Sequence, residues 1–232
     1  MTTVPIDDPK VLRHILANTE ALLLDFDGPV CSVFAGIPAH IVADQLRNVL
    51  SEGSHHDLPY EVATSADPFD VLKYAAALGT NEVRYVEATF RAYEVEAIAT
   101  AKPTTGAHRL IRAWSLSRRP ISIVSNNSAM AVISYLELHG LTSHVTQVSA
   151  RDTSDIELLK PNSYLVDKAI NMLNVVNTKA TLLGDSTTDI EAGIIANVAT
   201  IGFANKKGKV VTLTQSGATA VTTSIASLVD LL

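Results

Sequence analysis

The sequence predicts an α/β protein: a parallel sheet with helices on both faces, interrupted by an inserted all-helical module. Three observations carry this expectation. Short apolar runs of strand length alternate with longer segments of three-to-four apolar spacing, once near the start and again from about residue 103 to the end. The runs lack the polar alternation of a half-exposed strand, which is how strands covered on both faces read. Between the two blocks the patterns are helical, and no convincing strand interrupts them. The expected division is a core of residues 1–32 and 101–232 and a helical module of residues 33–100.

In chain order, a helix is expected over 9–18 and a strand over 21–26, where ALLLDF is too short and too apolar for a surface helix. The module should hold helices at 39–50, 68–78 and 82–99, with a polar loop at 51–59 and a hinge at 100–105. In the second block, strands are expected at 121–125, 145–149, 180–184 and 199–202. Helices at 105–117, 128–139, 163–173 and 188–196 separate them, and such βαβ alternation implies right-handed crossovers in a parallel sheet. Residues 218–222 suit a last strand and 224–232 a short helix.

Composition narrows the class. Apolar residues make up 47% and charged residues 18%, the balance of an ordinary globular chain rather than a disordered one. The net charge of −6, with no basic cluster beyond Arg118-Arg119 and Lys206-Lys207-Lys209, argues against nucleic acid as a partner. No run reaches membrane-spanning length, and the N-terminus has neither the cationic start nor the apolar stretch of a signal peptide. Cys31 is the only cysteine, which excludes an internal disulfide and fits a reducing compartment. A soluble cytoplasmic protein, monomer or homodimer, is expected. Cys31 itself reads as a small buried residue, because no histidine neighbours it to activate a thiolate.

The chemistry concentrates at strand ends. Asp25 and Asp27 end the first strand, where open α/β sheets place their ligand sites. Two carboxylates crowded there repel each other unless a cation is bound or one is protonated. Ser125 closes ISIV and is followed by Asn126; with the N–H groups of the next helix it suits an anion, or else it caps that helix. Lys160, before Pro161, can neutralise a phosphate as a point charge, or lie on the surface. Asp185 follows the buried run ATLLG and Asp189 comes four residues later. Asp185 faces the same sheet edge as Asp25 if both strands are parallel, and could complete an oxygen site for Mg²⁺.

Taken in order, DFDG at 25–28, Ser125 after an apolar strand, Lys160-Pro161 and GDSTTD at 184–189 resemble the four motifs of the haloacid dehalogenase-like hydrolases. The resemblance spans the whole core and points to the capped phosphatase, phosphoglycolate phosphatase-like branch. It implies a Rossmann-like core with a helical cap inserted after the first motif. It also implies Asp25 as nucleophile, Asp27 as general acid/base, and Ser125, Asn126 and Lys160 as binders of the phosphoryl group. Mg²⁺ would be held by Asp25, the Asp27 carbonyl and Asp185, with Asp189 behind them. The acid at Asp27 matters, since dehalogenating members of the superfamily lack one there. The implied activity is Mg²⁺-dependent hydrolysis of a small phosphorylated metabolite through an aspartyl-phosphate. A phosphosugar mutase and a non-catalytic phosphometabolite-binding protein are the alternatives.

Three departures from the family pattern are visible. Pro29 follows Gly28 and removes an N–H from that turn. Ser163 stands where a second proline is common, and Asn197 where glycine is usual at a helix end. In the cap, His40, Arg47, Lys73, Arg84 and Arg91 are the polar candidates for touching substrate, with His40 foremost.

Overall fold

The computed structural model describes residues 4–232. Asp8 starts α1 (Pro9–Asn18) by accepting hydrogen bonds from the N–H groups of Lys10 (2.9 Å) and Val11 (3.2 Å), with proline in the first turn. The strand β1 (Ala21–Leu24) is buried throughout. Leu22 and Leu24 join one apolar cluster and Ala21 and Leu23 the other, so the period of two divides the strand between both faces of the sheet. The strand ends two residues earlier than its apolar run suggests. Phe26 O accepts from the N–H groups of both Val30 and Cys31, so the turn begins there.

The chain then forms the two-residue strand β2 (Cys31–Ser32) and enters four helices: α2 (Ala39–Glu52), α3 (Tyr60–Thr64), α4 (Pro68–Leu78) and α5 (Thr80–Ile98). It returns through β3 (Lys102–Pro103), which pairs antiparallel with β2. The expected hinge is therefore a small ribbon, and a five-residue helix such as α3 is too short to show a period. Asp67 caps α4 by accepting from Phe69 N at 2.9 Å. The helices pack on each other through Leu46, Leu72, Val86 and Phe90, all fully enclosed.

The remainder alternates: α6 (Ala107–Leu116), β4 (Ile121–Ser128), α7 (Ala129–Leu138), β5 (Gln147–Arg151), α8 (Tyr164–Leu173), β6 (Ala180–Gly184), α9 (Thr187–Ile195), β7 (Ala199–Phe203), α10 (Lys209–Gln215), β8 (Ala220–Thr222) and α11 (Ile225–Val229). Ser163 precedes α8 as its cap, and Asn197 adopts φ +57° after α9, as its replacement of glycine requires. The helix α10 was not expected, because Val210, Val211, Thr212 and Thr214 are β-branched and weaken a helical reading. Burial of Leu213 anchors it.

Six strands form one parallel sheet in the order β5-β4-β1-β6-β7-β8. From β1 the chain moves to β4 and β5, then crosses back to β6. The order thus reverses between β1 and β6, and their C-terminal ends flank the crevice where such sheets bind ligands. Among the described residues no helix is long and apolar enough to cross a membrane.

Candidate active site

Asp25 leaves the end of β1 and Asp185 the end of β6, on either side of this reversal. Two glycines make room for the acids. Gly28 has φ +114°, a conformation side chains rarely adopt, and a Cβ there would lie 2.4 Å from Asp185 Cγ. A Cβ on Gly184 would lie 2.3 Å from the Cβ of Asp189. Asp189 is fully buried at the start of α9, where its carboxylate and Ser186 form a reciprocal capping box.

Lys160 reaches into this cluster. Its ammonium donates to Asp25 Oδ1 (2.8 Å), Asp189 Oδ1 (2.5 Å) and Val124 O (3.0 Å), and the side chain is almost fully enclosed. Burial works to lower its pKa, but Asp189 and Asp25 more than offset this, so the ammonium stays charged. Burial, then the charge of Asp189, pushes the Asp25 carboxyl well above the usual carboxylate range against the pull of Lys160. Asp27 is pushed up to about 6, chiefly by burial, while the hydrogen bond from Val33 N (2.9 Å) opposes the rise.

Ser125 is buried at the end of the regular part of β4; its hydroxyl donates to Asn127 Oδ1 (3.2 Å) and accepts from Asn127 N (3.1 Å). The Asn126 side chain clamps the backbone of Lys160, accepting from its N–H (2.8 Å) and donating to its carbonyl (3.0 Å). These groups line one open cavity of about 410 Å³, with Asp25, Asp27, Ser125, Asn126, Lys160 and Asp185 in its wall. Phe69 and Lys73 of α4 face it from the helical module, and Ile156 and Glu157 also line it.

His40 is exposed on α2 and does not line this cavity, in contrast to the sequence-based expectation; Lys73 does. Cys31 is buried, and desolvation holds its thiol far above the range in which a thiolate forms. Three residues escaped the sequence reading. Asn205 donates to Asp185 Oδ2 at 2.9 Å and Lys209 pairs with the same oxygen; the signal available was a basic, glycine-containing loop after a strand end. The third is Arg151, buried at the end of β5.

The donor set suits a hard divalent cation. Asp25, Asp185 and Asp189 each offer a carboxylate oxygen, and these lie within 4.8 Å of one another. Among the described residues the cluster includes no histidine or cysteine, and an all-carboxylate set suits a hard cation better than zinc. Asp189, expected behind the metal, meets the cluster through Lys160 and through its own oxygen.

A sheet reversal flanked by acids, a buried lysine and a helix-roofed cavity define a Rossmann-like α/β hydrolase architecture. A family model for the haloacid dehalogenase-like hydrolases matches residues 60–203, and the chain belongs to that family. Solved structures share the fold. A haloacid dehalogenase family hydrolase from Deinococcus radiodurans R1, with bound phosphate and sodium, is 25% identical, with a TM-score of 0.60 over 93% of this chain and 98% of that one. A predicted phosphoglycolate phosphatase from Haemophilus somnus 129pt is 14% identical, with a TM-score of 0.66 over 92% and 98%. CbbY from Rhodobacter sphaeroides, in complex with xylulose-(1,5)bisphosphate, is 15% identical, with a TM-score of 0.65 over 90% and 95%.

Proposed function

We propose that this protein is a Mg²⁺-dependent phosphatase of small phosphorylated metabolites, working through an aspartyl-phosphate on Asp25. In this reading residues 1–32 and 101–232 are the catalytic core and residues 33–100 a cap over it. The observation that carries the reading is the convergence of Asp25, Asp27 and Lys160 on one cavity at the β1/β6 reversal. The phosphate bound to the Deinococcus hydrolase and the sugar bisphosphate bound to CbbY support a phosphate ester as the ligand.

In the mechanism, an Asp25 oxygen attacks phosphorus, and the bond to the leaving oxygen breaks. Asp27, whose carboxyl is pushed up to about 6 and so holds a proton in mildly acid solution, gives that proton to the departing alkoxide. The resulting carboxylate then takes a proton from water as the water attacks the phosphoryl group, freeing Asp25 and inorganic phosphate. Lys160 and Ser125 hold the phosphoryl oxygens and offset the repulsion between two anions. Mg²⁺, held by Asp25, the Asp27 carbonyl and Asp185, would supply further charge neutralisation. Phe69 and Lys73 on the cap side shield the cavity and meet the leaving group.

The test is phosphate release from p-nitrophenyl phosphate and from sugar, nucleotide and short-chain phosphates, with Mg²⁺ and with EDTA. Metal-dependent release from a small ester is expected. No release from any ester by folded protein, or conversion between sugar-phosphate isomers without release, would overturn the reading.

A further inference from the structure

Ser125 and Lys160, two of the groups assigned to the phosphoryl oxygens, are held by one buried ion cluster that lies outside the cavity. Arg151 ends β5, and its side chain is 1% exposed. Its Nη1 pairs with Glu87 and its Nη2 with Glu94 (2.5 Å), both from α5, and its guanidinium lies over the Phe90 ring at 4.9 Å. Glu94 is wholly buried and carries three donors. Besides Arg151 it accepts from Asn127 Nδ2 (3.0 Å) and from the Ser128 N–H (3.0 Å).

The segment these contacts grip needs holding. Pairing of β4 with β5 runs in register up to Ser125 opposite Ala150, then jumps to Ser128 opposite Arg151. Asn126 and Asn127 fall in the irregularity and lack the regular ladder that fixes the rest of the strand. Two relays replace it. Arg151 Nε donates to Asn126 O (3.0 Å), and the Asn126 amide clamps the Lys160 backbone. Glu94 fixes Asn127, whose N–H and side chain fix the Ser125 hydroxyl.

We propose that Arg151 and Glu94 are positioning residues for the phosphate cradle: α5 of the helical module sets the placement of Ser125 and Lys160 through them. This rests on the reading of the cavity given above. An enclosed cluster of one guanidinium and two carboxylates is a costly way to bind two layers together, and an apolar contact would do as well. What an apolar contact cannot do is present directed donors and acceptors to an irregular loop.

The test uses inorganic phosphate as a competitive inhibitor of p-nitrophenyl phosphate hydrolysis, with thermal melting alongside. Glu94→Gln and Arg151→Met are expected to raise the inhibition constant and KM, and displacement of the cradle by an ångström is enough for an effect of about 10²-fold. Glu87→Gln is the control. Glu87 pairs with Arg151 but is not bonded to the 125–128 loop, so it should lower the melting temperature while leaving the phosphate constant within about threefold, a change worth roughly half of a tenfold step. Where Arg151→Met fails to fold, the Glu94→Gln and Glu87→Gln pair decides. Unchanged phosphate affinity and KM in folded Glu94→Gln, or equal shifts in both glutamate variants, would overturn the positioning role while leaving the phosphatase reading intact. A wild-type protein that neither hydrolyses the ester nor binds phosphate would overturn both.

Discussion

The Lys160 ammonium is hydrogen-bonded to Asp25 Oδ1 at 2.8 Å, with both side chains almost fully enclosed. The same ammonium also holds Asp189, so one cation serves two buried acids. Removing it leaves uncompensated negative charge in the protein interior. Lys160→Met should lower stability by about 3–5 kcal/mol, the range for breaking a buried pair. It should also abolish turnover. Chemical denaturation measures the first effect and phosphate release the second. Unaltered stability would show that the ammonium is not the counter-charge of the acids.

Asp25→Asn removes the proposed nucleophile but also relieves like-charge repulsion against Asp189 and Asp185. Turnover should vanish, while the melting temperature stays within a few degrees of the wild-type value. Steady-state kinetics with a parallel thermal melt would check this. Retained activity would remove Asp25 from its role.

Gly28→Ala places a methyl group where Asp185 now lies and strains a backbone at φ +114°. The conformational cost alone is about 1–2 kcal/mol. Displacement of Asp185 should in addition weaken divalent-cation binding, read by titration calorimetry with Mg²⁺ or Mn²⁺. Asp185→Ala should raise the Mg²⁺ requirement steeply. Cation affinity unchanged in both variants would exclude Asp185 as a ligand.

The rings of His108 and His139 lie 4.9 Å apart between centroids, tilted by 52°, beside Tyr135. The His108 ring is hydrogen-bonded to the Tyr135 hydroxyl at 2.8 Å, and His139 Nε2 is buried without a partner among the described residues. Burial lowers the pKa of both below 6.5, and the charges of His139 and Arg112 add to this for His108. The unfolded chain therefore binds protons more readily than the folded one. Stability from this source is complete above about 6.5 and is lost as pH falls below that value toward the folded-state pKa. The raised carboxyls of Asp25 and Asp27 act in the opposite direction over the same range, so the histidine contribution is read as a difference between variants. Between pH 7 and pH 5, His139→Asn should lose less melting temperature, or gain more, than the wild type, as thermal melts across the range would show.

Much of the molecule was legible in the sequence because the period of its apolar residues was unambiguous. The parallel strands gave continuous apolar runs, and every strand of the sheet could be located within a few residues. Strand ends then pointed to Asp25 and Asp185, since a βαβ order alone forces parallel ends to one edge, whereas Lys160 lies well beyond the end of β5 and entered only through the four-motif resemblance. The illegible parts are those decided by long-range contact. The ribbon of β2 and β3 is two residues a side, too short for any period. The helix α10 is formed from β-branched residues and depends on the burial of Leu213. Glu87 and Glu94 interrupt an otherwise apolar stripe of α5 at Val83, Val86, Phe90 and Ala97. That interruption is a signal, but only the folded chain shows Arg151 opposite to it. His40 was misplaced because its position after Asp27 says nothing about which face of α2 it occupies.

The ribbon has one more consequence. Cys31 pairs with Pro103 and Ser32 with Lys102, so the outgoing and returning chains lie side by side at a single doorway. Everything from α2 to α5 hangs from that doorway, and no strand of the six-stranded sheet passes through it. Such an attachment behaves as a socket. The helices as far as α4 could be exchanged through it while the strand order stays the same, but α5 could not, because its Glu87 and Glu94 hold Arg151 of β5 and its Glu94 also holds the Ser128 N–H of β4. What faces the cavity from α4 is thereby free to change, whereas the chemistry at the sheet edge stays tied to α5.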